Sequence, residues 1–114
     1  MLIVEDGAVL RKHLARLFAR EGYAVATAGS CAEALAQLER TCFDVLLLDL
    51  ALPDGDGLDL LAALRERQPR QTLLMTACCT PENERRAGLL NVSGVLRKPL
   101  DLPRLISAVR CGGL

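Results

Sequence analysis

Short runs of aliphatic residues alternate along the chain with longer stretches whose apolar positions recur every three or four residues. Leu2-Ile3-Val4 is the first run, and Val45-Leu46-Leu47-Leu48 is the fullest. Four consecutive aliphatics read as a strand buried on both faces, the kind found in the middle of a parallel sheet. Between these runs, Leu10, Leu14, Leu17 and Phe18 lie at helical spacing, and Gly22 reads as the helix stop. Residues 23–27 read as a second strand. Ser30 with Glu33 forms a capping box for a helix carrying Ala34, Leu35 and Leu38. After Asp49 the segment Pro53-Asp54-Gly55-Asp56-Gly57 turns the chain out to the surface. A helix with Leu58, Leu61 and Leu64 on one side follows and ends by Pro69. Residues 72–76 read as a fourth strand. Thr80-Pro81 reads as an N-cap with proline in the first helical turn. Residues 92–96 read as a fifth strand, and Asp101 caps a last helix containing Leu105, Ile106 and Val109.

Five strands alternating with five helices predict an α/β fold: a doubly wound, five-stranded parallel sheet with helices on both faces. Right-handed crossovers and short connections favour the flavodoxin-like strand order 2-1-3-4-5, with its switch point between strands 1 and 3. Ligand sites in such sheets lie at the carboxyl ends of the strands. Strand 1 ends in Glu5-Asp6 and strand 3 ends in Asp49, so three carboxylates reach one edge. Thr76 ends strand 4 and Lys98 follows strand 5, converging on the same edge.

Composition narrows the function classes. At 114 residues the chain is one domain with a single core. Fourteen basic residues offset fourteen acidic ones, which leaves no electrostatic footprint for nucleic acid or an anionic membrane. No apolar stretch approaches a membrane span, and Met1 leads straight into a strand rather than a signal peptide. The five cysteines (Cys31, Cys42, Cys78, Cys79, Cys111) are odd in number and lack metal-binding spacing. They read as free thiols in a reducing cytoplasm, with the adjacent Cys78-Cys79 pair as a redox-sensitive spot.

The chemistry follows from charge. Three crowded carboxylates repel one another, so a cation must compensate or some must stay protonated. Mg²⁺ suits a site of one or two carboxylates plus waters and leaves positions open for phosphoryl oxygens. Lys98 suits a second phosphate oxygen and the Thr76 hydroxyl a third. Phosphoryl transfer needs mostly positioning and charge neutralisation, so this set supports attack by Asp49 on phosphorus.

The ordered motifs Ile3-Val4-Glu5-Asp6, Leu47-Leu48-Asp49-Leu50 with Pro53 and Gly57, Met75-Thr76-Ala77 and Arg97-Lys98-Pro99 resemble the receiver domains of two-component response regulators, over essentially the whole chain. The resemblance implies a phosphorylation-activated signalling switch in which Asp49 takes the phosphoryl group from a histidine kinase or phosphotransfer protein. It implies Mg²⁺ held by Asp6 and Asp49, with the Ala51 backbone carbonyl as third protein ligand and Glu5 acting through water. Thr76 and Lys98 would hold the phosphate and pull on the regions joining the fourth strand to the fourth helix and the fifth strand to the fifth helix. The Lys98-Pro99 bond looks like the family's cis peptide. The domain would catalyse only its own phosphorylation and dephosphorylation, in the cytoplasm. Its other partners would be an output domain or target protein, with a homodimer among the expectations and no direct contact to nucleic acid or membrane.

Departures from the family pattern shape these expectations. Val95 stands in the usual aromatic slot and has no ring to swing between rotamers, which removes the usual coupling to the threonine. Asn91 stands where glycine is common, and asparagine is the next-best residue for a left-handed backbone. Ser93 and Gly94 replace acids typical of dimers formed through the fourth helix, fifth strand and fifth helix. Gly7 leaves the ligand set intact. Gly55 and Gly57 read as turn glycines, and His13 as a surface residue. Only fifteen residues follow Pro99, enough for the last helix, so residues 1–114 read as a receiver domain with no output domain in the chain. Two other readings are weighed. A pseudo-receiver would dock partners constitutively, as Val95 suggests. A hydrolase or flavin protein on the same architecture fits poorly, because Ala51 occupies the position of a haloacid dehalogenase's second aspartate and Glu5-Asp6 would repel a flavin phosphate.

Overall fold

The computed structural model describes residues 1–64, 67–77, 80–90 and 92–111. The expectations for Asn91 and for the Cys78-Cys79 pair lie outside these residues. Five parallel strands form one sheet: β1 (Leu2–Val4), β2 (Ala26–Ala28), β3 (Val45–Asp49), β4 (Gln71–Thr76) and β5 (Gly94–Arg97). Their spatial order is β2-β1-β3-β4-β5, as the flavodoxin-like reading required. Helices α1 (Ala8–Arg20), α2 (Cys31–Arg40), α3 (Gly57–Leu64), α4 (Pro81–Leu89) and α5 (Leu102–Arg110) connect them and follow them.

The uninterrupted apolar runs are explained by cover on both faces. Leu2, Val4, Leu46, Leu48 and Leu74 pack with Ala34 of α2, Leu58, Leu61 and Leu64 of α3, and Ala87 of α4. Ile3, Val45, Leu47, Leu73 and Met75 point the other way, against Leu14 and Phe18 of α1 and Leu105, Ala108 and Val109 of α5. Successive strand residues face opposite sides, so a strand covered twice has no polar position to spare. Each fully buried leucine contributes roughly 1.5–3 kcal/mol relative to exposure.

Local signals set most boundaries. Thr80 Oγ1 accepts from the Asn83 N–H at 3.1 Å and an Asp101 carboxylate oxygen from the Arg104 N–H at 3.1 Å, so both expected caps are made. Gly22 takes φ +96° after α1, and the bonds Gly22 N–H to Ala19 and Tyr23 N–H to Phe18 complete a Schellman stop. That stop delays β2: Tyr23 stacks edge-on against Phe18 instead of entering the ladder, which starts at Ala26. Ser30 caps α2 as expected, but Glu33 reaches back to the Gly29 N–H rather than to that of Ser30. The fifth strand starts late as well, because Ser93 first bonds to Thr72 through its N–H and its hydroxyl. His13 is exposed, and Cys31, Cys42 and Cys111 are free thiols. No described helix is long and apolar enough to cross a membrane.

Candidate functional site

Two strand ends deliver the acids. β1 and β3 are direct neighbours, paired Val4 to Leu48, so Glu5-Asp6 and Asp49 leave the sheet side by side. One carboxylate oxygen from each of Glu5, Asp6 and Asp49 lies within 4.8 Å of the others. Like charges 4.8 Å apart repel by roughly 3 kcal/mol per pair in an effective dielectric of about 20. Glu5 and Asp49 are buried while Asp6 is exposed, so the cluster opens to solvent on the Asp6 side.

Lys98 supplies the compensation present within the chain. Its Nζ donates to Glu5 Oε1 at 2.5 Å and to Asp49 Oδ2 at 3.0 Å. Burial pushes the Glu5 carboxyl above its ordinary range, against the pull of the Lys98 hydrogen bond. Burial also works against the Lys98 ammonium, but its bonds to Glu5 and Asp49 outweigh that and hold its pKa above the usual value. Three carboxylates and the one ammonium that bonds to them leave two negative charges on the cluster itself. An oxygen-only donor set with that excess fits a hard divalent cation.

The other expected residues fall where the strand order puts them. Thr76 is buried at the end of β4, and the Lys98 N–H donates to its carbonyl at 2.8 Å. The Lys98-Pro99 bond is cis. Ala51 is exposed two residues past Asp49, and its N–H donates to Asp49 Oδ1 at 3.1 Å. Both Asp49 oxygens are therefore oriented by donors. Val95 is half-buried against the core beneath α4.

Several contributors escaped the sequence reading. The expected turn at 53–57 is a small hairpin, Ala51–Leu52 paired with Gly55–Asp56. At its tip Asp54 accepts from the Cys31 and Ala32 N–H groups at 2.8 and 3.0 Å, pinning the hairpin to the start of α2. Those bonds, from Cys31 first and then Ala32, hold the Asp54 carboxyl below its usual range. Arg86 of α4 reaches Asp56 at 3.1 Å and Asp59 at 2.7 Å, linking α4 to the chain leaving the site. Gly57 is more than a turn glycine, since a Cβ there would stand 2.6 Å from the Asp49 carbonyl oxygen. In the sequence it stood in a glycine-rich turn and in the motif with Asp49 and Pro53, and neither shows its close approach to the Asp49 carbonyl.

The family profile described as the response regulator receiver domain matches residues 1–110. The chain belongs to the response regulator receiver domain family. Transcriptional regulatory protein PmrA of Pectobacterium parmentieri is 35% identical over 96% of this receiver domain and 50% of its own length. The receiver domain thus spans about half the length of that curated relative. Among solved structures, a CheY-like receiver domain protein from Methanospirillum hungatei JF-1 superposes with a TM-score of 0.91 at 26% identity, covering 96% of this chain and 88% of that one. A response regulator from Burkholderia pseudomallei, solved with a phosphorylated aspartic acid, calcium ion and citrate, gives 0.86 at 30% identity over 94% of this chain and 64% of that one. Curated relatives of this receiver domain are mainly named as transcriptional regulators, and one, AruS of Pseudomonas aeruginosa, is named a sensor histidine kinase.

Proposed function

We propose that the receiver domain is a phosphorylation-activated switch with Asp49 as acceptor. An Asp49 carboxylate oxygen attacks the phosphorus of a partner kinase's phosphohistidine. A P–O bond forms, the P–N bond breaks, and the imidazole leaves with the electron pair and takes a proton. The observation that carries this reading is the buried Asp49 carboxylate, oriented by Lys98 and the Ala51 N–H within the Glu5-Asp6 cluster. Asp6, Asp49 and the Ala51 carbonyl would hold Mg²⁺ directly and Glu5 would act through water. When bound, that ion neutralises charge on the phosphoryl oxygens. The Lys98 ammonium, 3.0 Å from Asp49 Oδ2, passes its hydrogen bonds to the new phosphoryl oxygens, and the Thr76 hydroxyl takes another.

A released Lys98 and a recruited Thr76 bias two states of the domain toward a changed α4-β5-α5 surface. The partners on this reading are a histidine kinase or phosphotransfer protein and an output domain or target protein. Residues 1–114 act as one receiver unit in the cytoplasm. The half-buried Val95, which has no ring to carry the signal, favours the pseudo-receiver as second reading. Incubation with acetyl phosphate and Mg²⁺ separates the two. Intact mass should show one phosphoryl adduct, absent from Asp49→Asn and from protein held in EDTA. An adduct on Asp49→Asn, or none on the native chain, overturns the switch.

A further inference from the structure

Arg11 of α1 bonds to the main chain of the acidic loop at three successive residues. The Arg11 N–H donates to the Gly7 carbonyl at 2.9 Å as an ordinary helical bond. Its Nη1 donates to the Glu5 carbonyl at 2.8 Å and to the Asp6 carbonyl at 3.2 Å. Three consecutive carbonyls, at Glu5, Asp6 and Gly7, therefore end on a single residue. The loop is also held by the Glu5 N–H, which donates to the Ala28 carbonyl at 3.0 Å, and by the Gly7 N–H, which donates to Glu5 Oε2 at 2.8 Å, but neither bond takes up the Glu5 or Asp6 carbonyl. Gly7 is the N-cap of α1 and brings no side-chain cap, and no acid stands in the first turn of the helix. The space beneath the guanidinium is kept open by Gly29, where a Cβ would lie 3.0 Å from Arg11 Nη1.

We propose that Arg11 is a positioning residue for the metal site, fixing the backbone from which the Glu5 and Asp6 carboxylates project. The proposal rests on the reading of the acidic cluster as a magnesium site. Groups that orient metal ligands without touching the ion typically carry 10- to 100-fold in affinity. Mg²⁺ also demands near-ideal octahedral geometry, so a loop free to drift loses more than it would with a larger, more tolerant cation. Charge alone predicts the reverse. Arg11 is a cation close to a cation site, and simple Coulomb repulsion means that removing it strengthens magnesium binding. The sign of the effect thus decides between holding and repelling.

The test is a Mg²⁺ titration of metal-free protein followed by backbone amide shifts, with thermal unfolding in EDTA alongside. Arg11→Met keeps the length of the side chain and removes its donors, and should weaken magnesium about ten-fold. Arg11→Lys should recover most of the loss, because both carbonyls are served by one nitrogen and an ammonium has donors enough. Gly29→Val leaves Arg11 in place but takes the space its guanidinium fills. It should weaken binding in the same direction, and it decides the matter if Arg11→Met does not fold. Unchanged or tighter magnesium binding in the folded variants, with or without a lowered unfolding temperature, overturns the role of Arg11 alone. Absence of magnesium binding by the native chain overturns the site and this role together.

Discussion

The Lys98 backbone N–H donates to the Thr76 carbonyl at 2.8 Å, so the two residues proposed to grip the phosphoryl group leave adjoining strands tied together. A change in the Lys98 side chain therefore reaches the end of β4 through the main chain as well as through the site. This tie does not involve Val95, and it offers the domain a route outward that needs no aromatic ring.

Lys98→Met leaves Glu5 buried and Asp49 oriented without their cation. A buried charge that loses its partner is costly, and the half-open setting moderates the loss to about 2 kcal/mol at neutral pH without metal. Added Mg²⁺ should recover part of it, since a divalent ion replaces the missing charge. Urea unfolding with and without MgCl₂ measures both effects. Equal midpoints for variant and native protein in EDTA would refute the prediction.

The stability of the metal-free domain should fall on both flanks of the pH scale. The folded state holds the Lys98 proton more tightly than the unfolded chain, so that stabilisation is complete below 10.5 and disappears as pH rises through the higher folded value. Asp54 has the opposite sign: its depressed carboxyl stabilises above 3.8 and loses this as pH falls further. Glu5 adds a decline as pH rises from 4.5 through its raised value. Thermal unfolding across pH tests this, and Asp54→Asn should flatten the acid flank only.

Gly57→Ala places a methyl where the Asp49 carbonyl oxygen now stands 2.6 Å away, with Leu50 Cα and Leu48 Cγ at 3.2 Å. Backbone cannot yield as a flexible side chain does, so about 2 kcal/mol of stability should be lost. The acceptor moves with its main chain, and labelling by acetyl phosphate should slow. Native labelling kinetics in this variant would show that the close approach is incidental.

Thr72→Val should stabilise the domain by about 1 kcal/mol. Thr72 lies in β4, 2% exposed, and its Oγ1 has no hydrogen-bond partner among the described residues. Valine has the same shape and does not bury an unsatisfied hydroxyl. A urea midpoint at or below that of the native protein would show that the hydroxyl is satisfied after all.

Much of the site was legible because its signals are local. An apolar run covered on both faces must end at the sheet edge, and the residues that end it here are Glu5-Asp6 and Asp49. The caps at Thr80 and Asp101 were legible for the same reason, since each bonds three residues ahead. The late starts of β2 and β5 were missed because hydrophobicity alone does not show that Tyr23 packs back on Phe18 after the helix stop, or that Ser93 pairs with Thr72.

The remaining contacts were invisible because they join distant segments. Asp54 finds its donors at Cys31 and Ala32, and Arg86 finds its acids at Asp56 and Asp59. A turn aspartate or a helical arginine is by default a solvated surface residue, and nothing in its neighbours says otherwise. By itself the sequence determined the strand order, the edge where the acids gather and the lysine that meets them, since strand burial and crossover handedness leave few alternatives. Only the tertiary structure decided how that edge is braced, by Arg11 behind the first acids, by the hairpin docked on α2 and by Gly57 beneath Asp49. Those arrangements depend on side chains brought together by packing, and packing is a property of the folded whole.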